Sequence, residues 1–220
     1  MSRVLVIGDL HVPAERPDYL KFCRSLRKKY KTDTTVFIGD VIDHHSISFH
    51  QRHPEEDAAV AEYWRAMEAL KVWKAAFPVA QVCIGNHDER VQRVGASAGI
   101  PAMYLKSYAE LYGTPNWDWG YEHVIDNICY THGTGSRSNA GCPAFGKAVK
   151  RMQSVVMGHI HSNASISYTT GENGSVFGLN VGCGVDRNHR MMQYAANYDS
   201  KPVNSAGVVI NGKPYLEFMD

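Results

Sequence analysis

One recurring pattern narrows this chain more than any other feature. Five short apolar runs each end in a small polar cluster marked by glycine. Val4-Leu5-Val6-Ile7 runs into Gly8-Asp9-Leu10-His11, Thr35-Val36-Phe37-Ile38 into Gly39-Asp40, and Val79-Ala80-Gln81-Val82-Cys83-Ile84 into Gly85-Asn86-His87-Asp88. Ile128-Cys129-Tyr130-Thr131 meets His132-Gly133, and Val155-Val156-Met157 meets Gly158-His159-Ile160-His161. Near-continuous apolar runs bounded by glycine read as strands buried on both faces. Helical patterns lie between them. Residues 17–30 set Tyr19, Leu20, Phe22, Cys23 and Leu26 against Lys21, Arg24, Arg27, Lys28 and Lys29. Residues 55–76 carry Val60, Tyr63, Trp64, Met67, Leu70 and Trp73 at helical spacing, after an opening Pro54-Glu55-Glu56-Asp57 that suits a helix N-terminus. Strands alternating with helices predict a layered α/β fold. The C-terminal part changes character: residues 165–182 and 206–218 read as hairpins, the second turning at Asn211-Gly212. The Gly- and Ser-rich stretch 133–146 reads as an active-site loop.

At 220 residues and 44% hydrophobic, the chain suits one domain over residues 1–220. A net charge of +1 gives no global field toward nucleic acid or an anionic membrane, and no apolar run has the length to span a bilayer. Met1-Ser2-Arg3 leads straight into the first strand, without the apolar region of a signal peptide. The five cysteines form no CxxC pair and read as buried free thiols, which predicts a cytoplasmic protein. Histidine is in excess: there are eleven, several at the ends of the apolar runs.

Side chains at strand ends are well placed to build a site, because the sheet fixes the backbone and short loops aim the groups. The glycines before Asp9, Asp40, Asn86 and His159 are expected to permit the sharp turns out of the sheet. The groups on offer are carboxylate, imidazole and amide carbonyl, with no thiolate. That donor set suits divalent ions such as manganese, with iron, zinc, nickel or magnesium also compatible. A single Asp-x-His or His-x-His is a weak signal, but five such clusters, each after an apolar run, are a strong one.

The five clusters resemble the motifs of the calcineurin-like metallophosphoesterase superfamily: Gly8-Asp9-Leu10-His11, Gly39-Asp40-Val41-Ile42-Asp43, Gly85-Asn86-His87-Asp88, Thr131-His132-Gly133 and Gly158-His159-Ile160-His161. The resemblance implies a four-layer αββα sandwich, with two central mixed sheets flanked by helices. It implies a dinuclear metal site as well, with Asp9, His11 and His161 on one ion, Asn86, His132 and His159 on the other, and Asp40 bridging. It further implies that His87 protonates the leaving alkoxide while Asp43 holds its other ring nitrogen; a plain loop cap is the other reading of Asp43. Two divalent ions, two carboxylates and a bridging hydroxide leave about one net positive charge, which favours a phosphate oxyanion. The expected activity is phosphate-ester hydrolysis by direct attack of that hydroxide.

In the protein-phosphatase branch the second motif continues with an arginine that grips phosphate; here His44 holds that place. The departure argues against a protein phosphatase and for a phosphodiesterase acting on nucleotides or nucleic acid, with a small-molecule monoesterase as the alternative. A non-catalytic scaffold of this fold is a remote third. His44, Arg90 and Arg137 are the candidate substrate contacts, Arg90 having an ion pair at a helix start as its other reading. His45 is a loop histidine or a further contact, and His50 and His53 read as surface or capping residues. The stretch Asp186-Arg187-Asn188-His189-Arg190 reaches toward the site mouth or away from it. Basic residues of helix 17–30, with Lys147, Lys150 and Arg151, form either a nucleic-acid contact or solvated helix faces. Trp117 and Trp119 are base-stacking candidates or core aromatics.

Overall fold

A computed structural model of the chain describes residues 1–48, 58–136, 141–172, 174–195 and 199–220. The predicted strands are present with shifts of a residue or two: β1 (Arg3–Ile7), β2 (Thr34–Phe37) and β3 (Ala80–Cys83). The helices α1 (Tyr19–Tyr30) and α2 (Ala59–Ala76) follow β1 and β2. Further along come α3 (Arg90–Ser97), α4 (Tyr108–Tyr112), β4 (Trp117–Gly120), β5 (Glu122–Ile125) and β6 (Ile128–Thr131). The chain then forms α5 (Pro143–Arg151) and β7 (Val155–Met157). Two hairpins complete it, β8 (Ala164–Gly171) with β9 (Gly174–Val181) and β10 (Ser205–Ile210) with β11 (Lys213–Phe218).

Two mixed sheets result, one ordered β11-β10-β1-β2-β3-β4 and the other β5-β6-β7-β9-β8. The C-terminal hairpin extends the first sheet, pairing Val4 with Val209 and Val6 with Gly207. Strand alternation explains why the runs are apolar throughout. Val4 and Val6 of β1, Val36 of β2 and the adjoining Ile38 pack against Tyr130, Val156, Leu179 and Val181 of the other sheet. Leu5, Ile7 and Phe37 face the opposite way, onto Tyr19, Cys23 and Leu26 of α1 and Leu70 and Trp73 of α2. On the far side, Cys129, Val155 and Met157 pack against Ala144 and Ala148 of α5. Three apolar interfaces between helices, sheet, sheet and helix make four layers, as expected for the αββα sandwich.

Several details differ from the sequence reading. The stretch 133–146 is not all loop: Pro143 opens α5 at its first turn, where its missing N–H costs nothing, and Lys150 and Arg151 sit in the last turn. On α2 the buried face is Ala66, Met67, Leu70 and Trp73, while Val60 and Trp64 are exposed. Trp117 and Trp119 belong to the fold. The indole of Trp117 stacks on Phe37 at 4.5 Å and donates to the Phe77 carbonyl, and that of Trp119 lies on Tyr108 and donates to Thr114. The basic residues form no single patch, because α1 and α5 cover opposite outer faces; Lys29 pairs with Glu217 and Arg151 with Glu122. All five cysteines are free, four of them buried. Among the described residues no helix is long and apolar enough to cross a membrane.

Candidate metal centre

The polar clusters gather at one end of the two sheets because β1, β2 and β3 run parallel, as do β6 and β7. The turns out of the strands are not made by glycine alone. His11, Asp40 and His159 themselves adopt left-handed backbone, at φ 51°, 47° and 68°. Such angles cost L-residues roughly 1–3 kcal/mol each and persist where the surroundings over-determine them. Gly85 and Gly158 serve instead to allow close approach. A Cβ on Gly85 would stand 2.1 Å from Asp40 Oδ1, and one on Gly158 would stand 2.1 Å from Asp9 Oδ1. The loops are laced together by backbone hydrogen bonds, the N–H groups of Leu10 and His11 both donating to the Asp40 carbonyl.

The geometry converges on one atom. Asp40 Oδ2 lies 3.2 Å from His132 Nε2, 3.5 Å from His11 Nε2 and 4.0 Å from His87 Nε2. On one side, His11 Nε2 is 3.1 Å from His161 Nε2, which is 3.2 Å from Asp9 Oδ2. On the other, His132 Nε2 is 3.2 Å from both Asn86 Oδ1 and His159 Nδ1. Two clusters able to hold an ion follow, Asp9-His11-Asp40-His161 and Asp40-His132-His159, with Asn86 beside the second and Asp40 common to both. A third group, His11-Asp43-His87, surrounds a carboxylate that hydrogen-bonds both rings.

Several observations test whether these residues fit metal. His11 gives its Nδ1–H to Asp43 Oδ1 at 2.6 Å, and His132 gives its own to the Ile38 carbonyl at 3.0 Å. Both rings therefore turn their Nε2 lone pairs inward, as metal-ligating histidines do. Asp9 is fully buried, and its Oδ1 has no hydrogen-bond partner among the described residues. Acceptor atoms turned on one another at about 3.1–3.2 Å need a proton or a cation between them. Without metal, protons do that work. Burial disfavours a charged His132, but the Asp40 and Asp9 carboxylates outweigh it and push the ring up to about 10. His159 goes the other way, to about 4, through burial and the neighbouring His132. Burial alone would raise the carboxyl of Asp43, yet the hydrogen bonds from His11 and His87 hold it well below the usual range. The donor set fits divalent metal.

His87 lies at the rim of this centre. Its Nδ1 is 2.8 Å from Asp43 Oδ1 and 2.9 Å from the Asp43 carbonyl, and its Nε2 receives Arg90 Nη2 at 3.1 Å. Arg90 is buried, with Nη1 donating to the carbonyls of Asp43 and His44; it stands at a helix start, and among the described residues it has no ion pair of the kind considered for it. His44 is buried too, with Nε2 2.7 Å from the Tyr112 hydroxyl. Arg137, His50 and His53 lie outside the described residues. The structure thus brings together Asp9, His11, Asp40, Asp43, Asn86, His87, His132, His159 and His161, with Arg90 alongside. Sequence reasoning gave no role to two buried carboxylates that brace the site. Asp88 takes the N–H groups of Ile42 and Gly85, and burial beside Asp40 pushes it up to about 7. Glu62 of α2 takes those of His45 and Ser46. Asp88 sits inside a motif and was open to inspection, whereas Glu62 carries no local signal.

A family model described as calcineurin-like phosphoesterase matches residues 2–176, and the chain belongs to that family. The family is one of metal-dependent phosphoester hydrolases, and the gathered His and Asp side chains form a site able to hold metal. No curated protein matches the chain. Among solved structures it is distantly similar to Vps29 from Cryptosporidium parvum, at 15% identity over 99% of this chain and 96% of that one, with a TM-score of 0.48. A Vps29 single mutant from Entamoeba histolytica gives 15%, 99%, 98% and 0.47. Yfce, a phosphoesterase from E. coli, gives 17%, 95%, 88% and 0.45.

Proposed function

We propose that the protein is a dinuclear metallophosphoesterase that hydrolyses phosphodiesters of the nucleotide or nucleic-acid type. One observation carries the reading: two ligand clusters meet at Asp40 Oδ2. Asp9, His11, Asp40 and His161 would hold one ion and Asp40, Asn86, His132 and His159 the other, with manganese preferred and iron, zinc, nickel or magnesium compatible. When bound, such a pair supplies Lewis acidity toward a phosphoryl oxygen and a water activated near neutral pH. The side chains do the rest. His11 and His132 keep their lone pairs on the site through Asp43 and the Ile38 carbonyl. His87 carries a proton at Nε2 to the leaving oxygen while Asp43 fixes Nδ1. Burial would lower His87's proton affinity, but the Asp40 and Asp43 carboxylates outweigh it and raise the pKa, as an acid near neutrality requires.

The preference for diesters rests on charge. A monoester dianion asks for more cationic partners than a diester, and the place of the protein-phosphatase arginine is taken by His44, whose ring is turned onto Tyr112. Bis-p-nitrophenyl phosphate, p-nitrophenyl phosphate, cyclic nucleotides and single-stranded DNA, assayed with manganese, test the reading. Turnover of the diesters is expected. Turnover of the monoester alone would move the assignment to a phosphomonoesterase or protein phosphatase.

A further inference from the structure

Arg90 is an unusual residue for its position. It opens α3, where the helix dipole already places positive charge and a cation is disfavoured. It is 8% exposed, and its partners among the described residues are two carbonyls and an imidazole, with no carboxylate. A buried guanidinium with no paired carboxylate among the described residues is costly, and its planar fork suits a phosphate oxyanion. The contacts differ in kind. Both Nη1 hydrogens are committed to the carbonyls of Asp43 and His44, at 2.8 and 3.2 Å, which anchors the group to the loop after Asp40. Nη2 reaches His87 Nε2 at 3.1 Å, and that nitrogen stands 4.0 Å from Asp40 Oδ2. Under the function proposed above, on which this argument rests, the leaving group must approach the same ring nitrogen. Nη2 and the leaving oxygen cannot both occupy it.

We infer that Arg90 is the phosphate-binding cation of this site, and that its Nη2 passes from His87 Nε2 to a phosphoryl oxygen when the ester binds. Nη1 stays on its two carbonyls, so the guanidinium pivots rather than leaves. One event then supplies a charge-assisted hydrogen bond to the substrate and frees the His87 Nε2 lone pair to take up a proton from water, which it passes on to the leaving oxygen. A single guanidinium from the loop after β3 suits the single negative charge of a phosphodiester.

Orthophosphate binding to the zinc-loaded protein, followed by calorimetry, tests this without turnover. Arg90→Met should weaken orthophosphate binding by roughly tenfold or more while metal content stays at the parent's value. Arg90→Lys, which keeps the charge but not the fork, should fall between the two. Should Arg90→Met lose metal through a disturbed loop, the lysine variant carries the comparison alone. Unchanged orthophosphate affinity in a variant with full metal content would overturn the inference. So would a crystal structure of the zinc and orthophosphate complex in which Nη2 remains on His87. Protein that is inert toward every ester yet loses orthophosphate binding in the variants would count against the hydrolase reading only.

Discussion

Asp43→Asn is the perturbation that bears most closely on how the centre is built. A single oxygen, Asp43 Oδ1, accepts from His11 Nδ1 at 2.6 Å and lies 2.8 Å from His87 Nδ1, while the buried Oδ2 has no hydrogen-bond partner among the described residues and stands 3.6 Å from His45 Nδ1. Asparagine keeps the shape, so the loop should hold. It turns two charge-assisted hydrogen bonds, each worth about 1.5–3 kcal/mol, into neutral ones worth about half as much. It also places an amide N–H₂ where Oδ2 was, facing His45 Nδ1. The partner that orients a metal-ligating histidine typically governs affinity by about 10- to 100-fold, or about 1.4–2.7 kcal/mol. Because the amide oxygen still receives His11, the low end applies, about tenfold weaker binding of the ion near His11 and His161. Competition against a chromophoric chelator measures that directly. The same variant should slow hydrolysis of alkyl esters more than of p-nitrophenyl esters, since only the former need a proton from His87. Metal affinity within twofold of the parent, together with an unchanged leaving-group preference, would refute the claim that Asp43 positions both rings.

Metal loading at pH 7 should release about one proton from His132, whose ring stands at about 10 in the metal-free protein and must be neutral to ligate. Calorimetry in buffers of different ionisation enthalpy reads the number, and zero release would contradict the assignment of His132 as a ligand. Glu15 gives a stability prediction of defined sign. Burial raises its carboxyl from 4.5 to about 7, so the fold favours the protonated form; that contribution is present below 4.5 and is lost as pH rises through 7. In chelator-treated protein, Glu15→Gln should be more stable than the parent by about 1–2 kcal/mol at pH 8 and equal to it at pH 4.5. Thermal melts showing the reverse order would contradict it.

The parts of the fold legible in the sequence are those buried on both faces. β1, β2, β3, β6 and β7 are near-continuous apolar runs because each separates two of the three apolar interfaces. The edge of the first sheet was harder to read. β4 is Trp117-Asp118-Trp119-Gly120, too short and too polar on one face to distinguish from a loop, and its aromatics show their role only against Phe37 and Tyr108. α5 was lost inside a glycine-rich stretch, although Pro143 and the basic pair Lys150-Arg151 mark its two ends. At the site, every motif residue lay at a strand end and could be named in advance. The distribution of strain could not. Glycine was the natural candidate for each turn, and Gly39 does take a positive φ of 108°, yet His11, Asp40 and His159 take left-handed angles too, while Gly85 and Gly158 make room for carboxylates. That exchange depends on distances between loops far apart in the chain, which no local pattern encodes. The same holds for Arg90, whose three partners come from two different loops.

Anomalous diffraction from crystals grown with manganese, collected on either side of the metal edge, tests the centre itself. The account predicts two peaks per chain, one enclosed by Asp9, His11, Asp40 and His161 and one by Asp40, Asn86, His132 and His159, with the carboxylate of Asp40 touching both. A single peak, or density for manganese away from Asp40, would contradict it.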